Sequence, residues 1–240
     1  MIRALLERIS QKHRTMAWPD GPPPALPSRY RGLPALDVSR CPDGCRACVD
    51  VCPTEAISVA SGKAISFPPD YRLAVRARED LTLDGAALPL ARALDARLLS
   101  LFGRSLKLRQ VSAGGCNACE ADVNVLGTIG WDLGRFGIQV VASPRHADGL
   151  LITGPVTRNM ELALRKTWDA VPPPKIVIAV GACAISGGPF YDRPEQLGGA
   201  ACAVPVDLFV PGCPPHPLTI LDGLLRLLGR LEEDGRVPER

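Results

Sequence analysis

Five short runs in the second half of the chain are nearly unbroken in apolar residues: LKLRQV at 106–111, IQVVA at 138–142, GLLIT at 149–153, KIVIAV at 175–180 and DLFV at 207–210. Side chains alternate faces along a strand, so a continuous apolar run suits a strand covered on both sides. Segments with helical spacing separate most of these runs. The pattern predicts an open, doubly wound parallel α/β sheet across 106–235, closed by a leucine-rich helix from Leu218 to about Glu232.

The first half is patterned differently. Ile2, Leu5, Leu6 and Ile9 recur at helical spacing among Arg3, Arg8, Lys12 and Arg14, which predicts a short amphipathic basic helix. Such a helix could dock on a partner, lie on anionic lipid or cover its own domain. The stretch WPDGPPPALPSRYRGLP, 18–34, is too rich in proline for helix or central strand and reads as an extended tether, so that 1–35 is helix plus tether. A cysteine-rich segment follows, with a short strand expected near Ala64 to Phe67 and a small module over 36–80. The charged stretch from Tyr71 to Phe102 is expected to be largely helical, with 81–105 as a helical connector.

At 240 residues and 46% hydrophobic content, the chain is long enough for one sizeable core and a small appended module. A net charge of +3 and few aromatic residues give no basic or stacking surface for nucleic acid. The amino-terminal helix is interrupted by charges and lacks a secretory apolar run, so a cytoplasmic location is expected. No apolar run reaches membrane-spanning length, and membrane association is expected to be peripheral, through partner subunits.

Nine cysteines change the picture. In a reducing compartment, clustered thiols serve more often as metal ligands than as disulfides. Cys41, Cys45, Cys48 and Cys52, followed by Pro53, give the spacing C-x3-C-x2-C-x3-C-P, one residue longer than the bacterial ferredoxin run. That spacing points to an iron–sulfur site. With no second run to supply a crossed ligand, either Cys52 closes the site locally or the site is incomplete.

In the α/β region, Cys116 and Cys119 follow the first predicted strand, Cys183 follows the KIVIAV strand, and Cys213 follows DLFV. Loops at the carboxyl ends of parallel strands open on one edge of the sheet, where ligands bind. Four thiolates meeting there could hold a cubane iron–sulfur cluster or a structural zinc, and spacing alone leaves both open. Gly114, Gly115, Gly181 and Gly212 would leave backbone amides accessible to cluster sulfides. Cys202 stands away from any strand end and reads as a buried or free thiol.

The segments GGCNACEADVNVL, FGIQVVASPRHADGLLITGPVTRNM, KIVIAVGACAISGGPF and VDLFVPGCPPHPLTILDGLL resemble the small subunit of group 4, formate hydrogenlyase-type nickel-iron hydrogenases. That family is homologous to the 20 kDa cluster-bearing subunit of complex I. The resemblance runs from about Leu106 to Leu225. It implies a flavodoxin-like fold, one 4Fe–4S cluster on Cys116, Cys119, Cys183 and Cys213, and a catalytic centre in a partner large subunit. The separated pair Cys116 and Cys119 resembles the hydrogenase branch; the complex I branch typically carries adjacent cysteines.

RYRGLPALDVSRCPDGCRACVDVCPTEAI and ISFPPDYRLAVRAREDL resemble the ferredoxin-like subunit that accompanies these complexes, with its second cluster motif missing. The expected protein is therefore an electron-transferring iron–sulfur subunit of a membrane-associated, hydrogenase-like oxidoreductase. Its implied partners are a hydrogenase-like large subunit, membrane subunits and a ferredoxin-like or other electron carrier. The alternatives are a quinone-reductase small subunit, or a zinc-stabilised scaffold without redox chemistry. Glu120 reads as a proton relay, as a residue facing the large subunit, or as a plain polar loop residue. Arg145, His146 and His216 are expected in loops near the cysteine edge. No GxGxxG, Walker loop or Ser/His/Asp set supports an independent nucleotide-dependent or hydrolytic enzyme.

Overall fold

The computed structural model describes residues 2–12, 14–37, 45–52, 57, 64–83 and 87–232. Its centre is a five-stranded, all-parallel sheet made of β3 (Leu106–Ser112), β4 (Ile138–Val140), β5 (Gly149–Thr153), β6 (Ile176–Val180) and β7 (Leu208–Val210). The spatial order is β4-β3-β5-β6-β7. Counted within this sheet that is 2-1-3-4-5, the flavodoxin-like order, whose direction of winding reverses between β3 and β5.

The unbroken apolar runs of β5, β6 and β7 have the consequence expected of them. In β6, Ile176, Ile178 and Val180 enter one apolar core, while Val177 and Ala179 enter the other. The first core is completed by α3 (Ala96–Phe102), α4 (Ala118–Val125) and α7 (Pro217–Leu227), the second by α5 (Arg158–Ala170) and α6 (Ala182–Ser186). Helices therefore cover both faces of β5, β6 and β7; the expectation of two-sided burial fails for β3, which alternates buried and exposed positions, and for β4, which exposes Gln139 and Val140 at the sheet edge. Inside the first core, Arg226 Nε donates to Asp222 Oδ2 at 2.9 Å, with both side chains all but fully buried.

Two expectations are corrected upstream of the sheet. Among the described residues of the stretch 71–102, only Ala96–Phe102 is α-helical, with a single 3-10 turn at Glu79–Leu81. Residues 73–75 are instead buried and extended, and Val75 and Phe209 exchange backbone hydrogen bonds at 3.0 and 2.9 Å. This segment caps the β7 edge, so the α/β core reaches back to residue 73.

The proline-rich stretch is extended, as its composition dictates, but it is a strap rather than a free tether. Trp18 is buried in the first core, Arg135 donates to the Met16 and Trp18 carbonyls at 2.7 and 2.5 Å, and Tyr30 Oη lies 3.1 Å from Thr219 Oγ1 on α7. Pairing between β1 (Ala35–Asp37) and β2 (Ala64–Ser66) is antiparallel, a two-stranded ribbon flanking the cysteine-rich segment. α1 (Ile2–Gln11) forms where the spacing predicts it, and no residue of it is buried.

Candidate metallocluster site

The carboxyl edge of the sheet collects the cysteines. Cys116 lies in the turn between β3 and α4, and Cys119 lies in the first turn of α4. Asn117 takes a left-handed conformation, φ 71°, to turn the chain between them. Cys183 is in the first turn of α6, directly after β6, and Cys213 follows β7 before α7 begins. Ala182 N donates to Gly212 O at 2.7 Å, which ties the β6 loop to the β7 loop.

Gly181 sits at the centre of this arrangement. Its φ is 95°, and a Cβ added there would stand 2.5 Å from Cys119 Sγ and 3.6 Å from Gly212 O. Only a glycine lets the Cys119 thiol rest against the β6 loop. The loops are thus cut to admit sulfur, the donor atom a soft metal prefers.

The thiols influence one another. Burial pushes the Cys119 thiol up to about 12, and Glu120, Cys183, Cys213 and Cys116 add to it. Cys183 is raised by burial, then by Cys213 and Cys116. Four thiolates that repel one another, two of them half-buried, need positive charge among them before all can ionise. Cys116, Cys119, Cys183 and Cys213 are unbridged, and Cys116 and Cys213 are exposed.

Among the described residues, no three His, Cys, Asp or Glu side chains are close enough to hold a single metal ion. Tetrahedral zinc draws its sulfurs to about 3.8 Å from one another, given Zn–S bonds of about 2.3 Å. A 4Fe–4S cubane takes one thiolate at each of its iron corners and needs a wider frame. The donor chemistry of these four thiols, gathered by the loops after β3, β6 and β7, fits an iron–sulfur cluster.

Glu120 is a residue of α4, only 6% exposed, rather than a polar loop residue. Its Oε1 accepts from Ser112 Oγ at 2.6 Å and Thr153 Oγ1 at 2.7 Å. Burial acts to raise its pKa, but these hydrogen bonds outweigh it and hold the carboxyl below its ordinary value. Ser112 and Thr153 were not singled out from the sequence; the signal available was a hydroxyl residue at the end of each of two apolar strands.

His216 does lie at this edge. Its Nδ1 accepts from Leu218 N at 3.1 Å and caps α7, while the rings of Tyr30 and Trp131 meet it edge-on at 5.6 and 5.8 Å. Burial lowers its pKa, with Asp122 opposing. Arg145 and His146 do not belong here. They occupy the exposed crossover between β4 and β5, near the entry end of β5: Val140, which ends β4, and Gly149, which starts β5, both stand level with Leu108 near the start of β3. Cys202 is in a 3-10 turn, Ala200–Cys202, and is exposed rather than buried.

In the amino-terminal module, Cys48 is in the short helix α2 (Ala47–Asp50), with Cys45 just before it and Cys52 just after, Cys52 N donating to Val49 O at 3.1 Å. Cys41 lies outside the described residues.

Fold and donor set define a class: an open parallel α/β protein that presents soft thiol donors at the ligand-binding edge of its sheet. Residues 116–227 match the family described as NADH ubiquinone oxidoreductase, 20 Kd subunit, and residues 43–58 match a 4Fe-4S binding domain. The chain is 43% identical over 145 residues to the probable membrane-bound hydrogenase subunit mbhJ of Pyrococcus furiosus, covering 60% of this chain and 87% of that one. It is 46% identical over 140 residues to formate hydrogenlyase subunit 7 of Escherichia coli, which spans 58% of this chain but only 55% of the relative. An NADH-quinone oxidoreductase subunit of Heliobacterium modesticaldum is 38% identical over 126 residues, 52% of this chain and 72% of its own.

The chain belongs to the family of the 20 kDa subunit of NADH:ubiquinone oxidoreductase.

Proposed function

We propose that this protein is the electron-transferring iron–sulfur subunit of a hydrogenase-like, membrane-associated oxidoreductase complex. The convergence of Cys116, Cys119, Cys183 and Cys213 at the carboxyl edge of the sheet, in a chain of this family, is the observation that carries the reading. These four thiolates would hold one 4Fe–4S cluster, and Cys41, Cys45, Cys48 and Cys52 would hold a second in the ferredoxin-like module, 36–80, that precedes the α/β domain. A bound cluster supplies one-electron transfer.

The chain's own contribution is positioning. The Gly181 loop admits Cys119, the α4 and α6 helices fix Cys119 and Cys183 in their first turns, and the exposure of Cys116 and Cys213 brings the site to the surface. An electron can then cross to a partner without the partner entering the sheet. Burial of Glu120 under two hydroxyls keeps its ionised form beside the site without a second cation.

The partner in this reading is a large subunit with the catalytic centre, and membrane subunits hold the assembly at the inner face of the membrane. Among the described residues no helix is long and apolar enough to cross a membrane. Separation of Cys116 from Cys119 by two residues favours the hydrogenase branch over quinone reduction.

The test is a potentiometric titration, followed by electron paramagnetic resonance, on chain purified without oxygen. Expected is a reversible one-electron signal that vanishes from the α/β site in Cys119→Ser with Cys183→Ser. Stoichiometric zinc and no reducible signal would overturn the proposal.

A further inference from the structure

α1 is an amphipathic helix whose apolar face is exposed. Ile2, Leu5, Leu6 and Ile9 are 77, 66, 58 and 66% exposed. At about 100° per residue these four fall in a stripe roughly 100° wide. Arg3 and Arg8 project from the two edges of that stripe, each about 60° beyond its last apolar residue, while Glu7 lies near the opposite pole. Lys12 and Arg14 add positive charge just past the helix. Arg8 and Arg14 border a small cavity beside the 127–132 loop, so the helix lies next to the α/β domain while its four apolar side chains stay exposed.

A helix of ten residues is marginal in water, and what stabilises such helices is burial of the apolar face. The flanking arginines say what buries this one. A protein groove would need carboxylates along both of its rims. A planar anionic interface meets both flanks at once, with the arginine stems lying along the hydrocarbon boundary and the guanidinium groups among phosphates.

We infer that α1 is an in-plane anchor by which this chain itself lies on an anionic phospholipid surface. The contact is the chain's own, separate from any membrane subunit, and does not depend on cluster content. With only four apolar side chains to insert, binding is reversible, an orienting contact added to those of partner subunits.

The experiment is flotation of the full chain with vesicles of phosphatidylcholine containing about a third phosphatidylglycerol, against phosphatidylcholine alone. Expected is binding to the anionic vesicles, weakened about tenfold or more in Arg3→Glu with Arg8→Glu, in pure phosphatidylcholine and at high salt. Leu5→Asp with Leu6→Asp weakens it by at least about tenfold. Iron content and thermal unfolding of the α/β domain stay unchanged in both variants, because α1 is outside its core. No flotation of the wild type overturns the inference, as does flotation indifferent to the leucine pair. Self-association or capture by a purified partner that disappears in the leucine variant, without vesicle binding, makes the stripe a protein contact and overturns it equally.

Discussion

Gly181→Ala is a small change with two separable effects. The backbone at Gly181, φ 95° and ψ 154°, is a region reached almost only by glycine, and holding alanine there costs about 1–3 kcal/mol. The new methyl would also stand 2.5 Å from Cys119 Sγ, too close for carbon and sulfur, so the thiol or the β6 loop must shift. The strain alone lowers the melting temperature by about 2–12 °C, at about 2–4 °C per kcal/mol for a chain of this size. The displacement of Cys119 adds loss of the α/β cluster. Gly198→Ala separates the two effects, because Gly198 has a similar φ of 86° but its added Cβ would meet nothing nearer than Cys202 Sγ at 3.8 Å. Iron content and calorimetry on both variants are the assay. Gly181→Ala should be destabilised and iron-poor, Gly198→Ala destabilised by about 1–2 kcal/mol with full iron. Equal iron in the two variants would refute the packing of Cys119 against Gly181 as the feature that admits the cluster.

The Asp70–Arg72 pair offers an electrostatic test. Burial works to raise its pKa, but hydrogen bonds from Arg72 N, Nε and Nη2 at 3.0, 2.9 and 2.7 Å outweigh it and hold the carboxyl below its ordinary value. A depressed acid contributes stability that is present above its unfolded pKa, about 3.9, and lost as pH falls through the lower folded value. The stability gap between wild type and Asp70→Asn, measured by denaturant titration, should therefore shrink as pH drops from about 5 toward 3; a constant gap would contradict the ion pair. Asp222→Ala strips the carboxylate from the buried Arg226 guanidinium and should cost about 3–5 kcal/mol, whereas Asp222→Leu with Arg226→Met should restore most of it. Urea unfolding of the three proteins decides, and a double variant as unstable as the single one would count against burial of charge as the cause.

β5, β6 and β7 were legible because they bury both faces, and unbroken apolar runs have few other uses; β3 and β4, partly exposed, were found by their place in the alternation of strand and helix. The strands' carboxyl ends then located Cys116, Cys119, Cys183 and Cys213 without any knowledge of side-chain packing. Long-range contacts were not legible. Leu73 to Val75 carry a charged, helix-compatible neighbourhood, and only pairing with Phe209, more than a hundred residues on, makes them extended. The strap was read correctly as extended chain, but local composition says nothing of where Trp18 and Tyr30 come to rest. Glu120 was left open between a functional role and a plain loop residue for a related reason: α4 begins between the two cysteines, and its burial depends on Ser112 and Thr153 from separate strands. His146 was misplaced because proximity to an apolar run does not reveal which end of the strand it adjoins.

The most direct measurement is an anaerobic count of iron and acid-labile sulfide per chain, made on wild type, Cys45→Ser with Cys48→Ser, and Cys119→Ser with Cys183→Ser. The account predicts about eight irons in the wild type and about four in each double variant, with different paramagnetic signals surviving in the two. About four irons in the wild type, unchanged by the Cys45 and Cys48 substitutions, would contradict the second cluster; iron unaffected by loss of Cys119 and Cys183 would contradict the α/β site itself.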